Sequence, residues 1–208
     1  VPDRPEVDGL RSFNGTGGFS ADGREYVVTG TPPAPWANVV ANPSVGFLAT
    51  DAGLGYTWAG NSQANRLTPW ANDPVTDPPA EVVYVRDEET GHFWTPTPRP
   101  AGGPTVTRHG AGYTTYAAER DGLETTLTAF VPAADPVKVL RLSVANRSDR
   151  PRRLSAAYFA EWVLGTTREQ TAPYVATEID PDTAAPPARV GSGAAVEPAF
   201  AIGDPPPR

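Results

Sequence analysis

The chain has 208 residues, enough for one large domain or two small ones, and at this size folding buries roughly 70% of the surface that the unfolded chain exposes. Its 24 acidic and 17 basic residues leave a formal charge of −7 scattered along the sequence, which excludes the basic face that a nucleic-acid binder needs. The lack of cysteine removes disulfides, thiolate metal sites and a cysteine nucleophile, two histidines are too few for a histidine-rich metal centre, and no apolar run approaches the roughly 18 to 20 residues of a membrane-inserted helix.

Along the chain, Phe13-Asn-Gly-Thr-Gly-Gly-Phe19 has the glycines of a phosphate-cradling loop. It lacks the Lys-Ser or Lys-Thr ending and the strand-then-helix setting, so it is read as a flexible turn. Arg24 to Thr29 is a Tyr- and Val-rich strand. Val45 to Thr50 and Tyr56 to Ala59 read as a hairpin across the glycine-containing loop Asp51 to Gly55. Glu81 to Arg86 and His92 to Thr95 form a second hairpin around Glu88-Glu-Thr-Gly91. Tyr113 to Glu119 and Leu123 to Phe130 flank Arg120-Asp-Gly122, whose Asp-Gly pair suits the positive φ angles of a tight hairpin turn.

Lys138 to Asn146 alternates Val139, Leu140, Leu142 and Val144 with polar residues, and Arg153 to Trp162 places Leu154, Ala156, Tyr158 and Ala160 on one side of a further strand. The 25 prolines and 20 glycines punctuate these runs, and no window sustains a helical period. The predicted fold is all-β, an antiparallel sandwich formed as one domain by residues 1–180. Residues 181–208 are rich in Ala, Pro and Gly and are expected to be a mobile tail. The absence of methionine, even at position 1, leads to the expectation that the chain begins after its natural start or is a piece of something longer.

The unusual stretch is Tyr56 to Pro79, a long connection between the two hairpins, and connections of that length are often functional. Trp58 and Trp70 offer apolar faces to the C–H groups of a pyranose, while Asn61, Asn65, Arg66, Asn72 and Asp73 offer directional partners for hydroxyls. The competing reading is an irregular loop whose tryptophans anchor it and whose amides cap its own backbone. Asp73, Asp77, Glu81 and Glu161 are carboxylates from which a glycosidase pair could be drawn, but their spacing fixes no geometry. His109 beside Arg108 could hold an anion, although a strand-end polar pair is the commoner arrangement. No Gly-x-Ser-x-Gly elbow occurs.

Taken in order, Phe13 to Phe19, Pro32-Pro-Ala-Pro-Trp-Ala-Asn-Val39, Tyr56-Thr-Trp-Ala-Gly-Asn-Ser62, Asn65-Arg-Leu-Thr-Pro-Trp70 with Asn72-Asp-Pro74, and Glu161-Trp-Val-Leu-Gly165 resemble the glycoside phosphorylases of glycoside hydrolase family 94, formerly glycosyltransferase family 36. Within that family the likeness is greatest to the phosphorylase region of cyclic β-1,2-glucan synthases. It runs from about Phe13 to Asp180.

The resemblance implies an N-terminal β-supersandwich, galactose-mutarotase-like in fold, whose partner is an (α/α)6 catalytic barrel of the same parent chain. The general-acid aspartate and most phosphate ligands of such enzymes lie on that barrel, so the resemblance assigns no catalytic residue and no metal here. Beyond inorganic phosphate as co-substrate of the parent enzyme it implies no cofactor. A β-glucan oligosaccharide is the expected ligand, at Trp58, Asn61, Asn65, Arg66, Trp70, Asn72 and Asp73, and neither nucleic acid nor direct membrane insertion is expected. The expected location is cytoplasmic, with a membrane-bound synthase as one form of the parent. A free-standing carbohydrate-binding module is the alternative. An aldose epimerase, suggested by fold analogy, would need a placed acid and base, and His109 has no evident partner.

Overall fold

Short runs of β-branched and aromatic residues separated by proline and glycine favour extended chain over helix, and the computed structural model, which describes residues 7–178 and 188–190, is built that way. In chain order come β1 (Gly17–Phe19), β2 (Glu25–Val28), β3 (Ala37–Ala41), β4 (Val45–Thr50), β5 (Leu54–Ala59), β6 (Glu81–Asp87), β7 (Phe93–Trp94) and β8 (Thr105–Gly110). They are followed by β9 (Tyr113–Arg120), β10 (Leu123–Phe130), β11 (Val139–Asn146), β12 (Leu154–Ala160), a one-turn helix α1 (Arg168–Thr171), β13 (Val175–Thr177) and β14 (Ala188–Val190).

One sheet has the order β1-β2-β8-β9-β10-β11 and the other β12-β6-β5-β4-β3 with β7 beside β6, while β13 and β14 pair separately. Every strand pair is antiparallel among the described residues, so the expected all-β antiparallel supersandwich is what the chain forms.

The core lies between the two sheets. Val40, Phe47, Ala49, Leu54 and Val83 of one meet Tyr116, Leu127 and Ala129 of the other. Full burial of a side chain such as Phe47 or Leu127 stabilises the fold by about 1.5–3 kcal/mol. Tyr116 is fully buried because its hydroxyl donates to the carbonyls of Thr50 (2.7 Å) and Gly53 (2.8 Å), which ties β9 to the β4–β5 turn. The β9–β10 hairpin turns where the Asp-Gly pair predicts: Asp121 and Gly122 have φ of 50° and 73°, and Arg120 lies opposite Leu123.

Several elements depart from the sequence reading. Gly17 to Phe19 is a strand paired with β2, not a flexible turn; a Cβ at Gly18 would press on the Arg11 carbonyl, so glycine serves close packing there. β3 and α1 were not anticipated, and β5 begins at Leu54 instead of Tyr56. The expected mobile tail lies outside the described residues except Ala188–Val190, which pair with Val175–Thr177.

The β4–β5 pairing shifts register midway, and that shift decides which side chains reach the outer surface. Phe47 pairs with Thr57 on the core side and Gly46 pairs with Trp58 on the outer side, while Ala49 pairs with Leu54. Leu54 and Thr57 therefore both point inward, and Tyr56 stacks beside Trp58 on the outer surface.

Candidate functional site

The long connection after β5 is pinned at its middle. Leu67 N–H donates to the Thr57 carbonyl at 2.8 Å and Ala59 N–H to the Asn65 carbonyl at 3.1 Å, so the chain runs back alongside β5. On the other side Arg66 and Gly165 exchange two backbone bonds of 2.9 Å, and Val163 N–H donates to the Leu67 carbonyl at 2.9 Å. Two of the segments that carry the family resemblance, Asn65 to Trp70 and Glu161 to Gly165, are thus hydrogen-bonded to each other. Leu67 and Leu164 seal the joint with Trp162 packed on them.

On the outer face above this joint stands an aromatic array. The rings of Tyr56 and Trp58 are 5.1 Å apart, and those of Tyr56 and Trp70 are stacked at 5.4 Å with planes inclined by 22°. The Arg66 guanidinium lies 5.7 Å from the Tyr56 ring and 5.6 Å from the Trp70 ring, and it donates to the carbonyls of Ser62 (3.3 Å) and Thr166 (3.1 Å). Tyr56 is buried under its neighbours, whereas Trp70 keeps 40% of its surface exposed.

Trp58 lies flat over Gly46, where a Cβ would collide with the indole. Gly46→Ala is expected to cost about 1–3 kcal/mol by overpacking and to shift the tryptophan emission. Chemical denaturation followed by fluorescence checks both, and wild-type stability would remove Gly46 from the account of how the array is seated.

Of the seven residues predicted to bind, the structure brings Trp58, Arg66 and Trp70 together. Three others cap the connection itself. Asn61 Oδ1 accepts from the N–H groups of Gln63 and Ala64, and Asn65 Nδ2 donates to the Ala59 carbonyl. Asp73 takes the Val75 and Thr76 N–H groups and the Thr76 hydroxyl, which hold its carboxyl below the usual range. Asn72 is exposed beside them. Tyr56, central to the array, was missed: its strand alternation was visible, but the register shift that turns it outward was not.

The four carboxylates considered for a glycosidase pair are engaged separately. Glu81 is buried against Lys138, Glu161 pairs with Arg168 at 2.5 Å, Asp73 caps its turn, and Asp77 accepts the Thr50 hydroxyl at 2.7 Å. His109 bonds through Nδ1 to the Thr114 hydroxyl at 3.1 Å, and burial pulls its pKa down to about 4. It is therefore neutral at pH 7 and offers an anion no charge. No cluster of acidic and histidine side chains suited to a metal ion occurs among the described residues.

Residues 24–191 match the family model described as the supersandwich domain of glycosyl hydrolase 94. The chain is 41% identical over 184 residues to the cyclic beta-(1,2)-glucan synthase NdvB of Rhizobium meliloti (strain 1021), covering 84% of this chain and 6% of that protein. It is 32% identical over 152 residues to the N,N'-diacetylchitobiose phosphorylase of Vibrio furnissii, covering 70% of this chain and 19% of that protein. The solabiose phosphorylase of Paenibacillus borealis is 32% identical over 157 residues, covering 72% of this chain and 20% of that protein. The chain thus spans at most 20% of the length of each of these relatives.

Proposed function

The chain belongs to the glycosyl hydrolase 94 supersandwich domain family, and from that premise we propose that it is a non-catalytic, saccharide-facing domain of a glycoside phosphorylase or glucan synthase. The observation that carries this reading is the exposed Trp70 face, stacked on Tyr56 and flanked by the Arg66 guanidinium. A pyranose presents a C–H face to such a ring and hydroxyls at its rim to a guanidinium, which is a donor only. The three relatives are a glucan synthase and two glycoside phosphorylases by name, which supports a saccharide ligand, and in this proposal a β-glucan oligosaccharide meets this surface.

In this proposal the surface shapes the oligosaccharide side of an active site whose chemistry is supplied by a helical barrel of the parent chain. That barrel contributes the acid that protonates the leaving oxygen, with inorganic phosphate as nucleophile. The four carboxylates considered for a glycosidase pair are each engaged separately, which supports the non-catalytic reading. No described helix is long and apolar enough to cross a membrane. In this proposal the domain works on the cytoplasmic side because it is part of such a parent enzyme.

Calorimetric titration of the 208-residue chain with β-1,2-gluco-oligosaccharides is expected to show weak binding, with a Kd of about 1 mM. The same chain, given β-glucan and phosphate, is expected to release no glucose 1-phosphate. Sustained release would overturn the non-catalytic reading, and a Kd near micromolar would favour a free-standing binding module.

A further inference from the structure

A concavity of about 770 Å3 lies at the end of the sandwich that carries the β4–β5 turn. Four connections wall it: those between β2 and β3, β4 and β5, β5 and β6, and β7 and β8. It shares no residue with the array of Tyr56, Trp58, Arg66 and Trp70. We propose that this cleft is a second saccharide subsite, in which the carboxylates of Asp51 and Asp77 accept hydrogen bonds from sugar hydroxyls and Arg99 donates one.

Asp51 is held for such a role. It is only 9% exposed, its N–H donates to the Trp36 carbonyl at 3.0 Å, its carbonyl accepts the Thr107 hydroxyl at 2.9 Å, and its Oδ1 accepts the Trp36 N–H at 2.7 Å. Oδ2 has no hydrogen-bond partner among the described residues, so a nearly buried, rigidly placed carboxylate offers one open acceptor to the cleft. Burial, with the charge of Asp77 adding to it, raises the Asp51 carboxyl above its ordinary range, which makes the oxygen a stronger acceptor.

Asp77 sits at φ 36°, in the left-handed region, and is fixed there by the Thr50 hydroxyl on its Oδ2, leaving Oδ1 open. Arg99 reaches the Val75 carbonyl through long contacts of 3.5 and 3.4 Å, which a ligand hydroxyl can displace.

The class of ligand follows from charge and lining. Two carboxylates against one guanidinium leave the cleft negative, which disfavours phosphate and other anions. A cation would need more acidic or imidazole ligands than these residues supply. An uncharged, hydroxyl-rich molecule suits acceptor-only carboxylates, and the rings of Pro33, Pro74 and Pro98 give its C–H edges an apolar wall. The choice of a sugar rests on the saccharide reading of the domain; the residues do not.

The test is amide-resolved NMR of the 208-residue chain titrated with β-1,2-gluco-oligosaccharides, with inorganic phosphate as a control probe. The expected result is saturable shifts at Gly30, Ala52, Gly102 and Gly103, retained in Trp70→Ala and weakened about tenfold in Asp77→Asn, which keeps the backbone geometry. Asp51→Asn, which preserves the Oδ1 acceptor for Trp36, should weaken them likewise. Shifts at the array alone overturn the cleft and leave the array standing, whereas shifts at the cleft alone do the reverse. Silence at both, or a cleft that answers to phosphate and not to sugar, overturns the proposal.

Discussion

Lys138→Met is expected to lower the free energy of unfolding by about 3–5 kcal/mol, the loss that attends removal of one partner of a buried ion pair. The Glu81 side chain is 1% exposed and that of Lys138 8% exposed, with Nζ 2.5 Å from Oε2. Nζ also donates to the Thr57 hydroxyl at 3.0 Å and lies 4.7 Å above the Phe47 ring. Glu81 receives the Tyr158 hydroxyl at 2.7 Å, the Thr68 hydroxyl at 3.0 Å and the Thr57 hydroxyl. The carboxylate thus joins β5, β6, β12 and the residue preceding β11 at one point.

Burial opposes its ionisation, but the Lys138 charge and hydrogen bond, followed by Thr57 and Tyr158, outweigh burial and hold the carboxyl below its usual range. A depressed carboxyl pKa contributes stability that is fully present above the unfolded value of about 4.3 and is lost as pH falls through the folded value. Without Lys138, burial dominates and the carboxyl moves up. The folded variant then takes up a proton before the unfolded chain does, so its deficit should be greatest near pH 7 and shrink toward pH 4. Urea denaturation across that range measures this, and Glu81→Gln combined with Lys138→Met should recover much of the loss. A deficit under about 1 kcal/mol, or one that does not vary with pH, would show that the ammonium is not what keeps Glu81 charged.

Trp70→Ala is expected to weaken oligosaccharide binding at the aromatic array by at least about tenfold, or about 1.4 kcal/mol, while leaving the unfolding midpoint close to that of the parent. Both halves follow from position. The ring is 40% exposed, lies outside the strands and rests on Tyr56 and Arg66, so its removal uncovers little of the core but takes away the flat face a sugar would meet. Trp70→Phe keeps a smaller face and should fall between the two. Unchanged affinity in Trp70→Ala, measured by the same titration, would remove the array as the contact surface. A large drop in stability would make Trp70 a structural prop.

The strands that were legible beforehand carried their evidence locally. β9 and β10 have an Asp-Gly turn at a fixed place, and β11 alternates apolar and polar residues at period two. β1 was illegible because glycine has no side chain with which to show a period, and its strand is defined by β2 and by contact with Arg11. α1 is a single turn, too short for any periodicity.

At the site, the tryptophans and Arg66 stood out by type. Asn61, Asn65 and Asp73 did not declare themselves, because the groups that would bind a hydroxyl are also the ones that cap a backbone. Glu81 drew notice as a carboxylate, but its partner Lys138 is 57 residues away, and only the packing of both sheets brings them together.

The two backbone bonds between Arg66 and Gly165 also set an order of events. The segments they join are separated by about a hundred residues, so the loop they close is among the most entropically demanding in the domain and forms late. A nascent chain that has emerged only as far as β12 already owns Tyr56, Trp58 and Trp70. It lacks the stretch that holds Arg66 beneath them, so during synthesis the aromatic surface is completed only once residues beyond β12 have emerged.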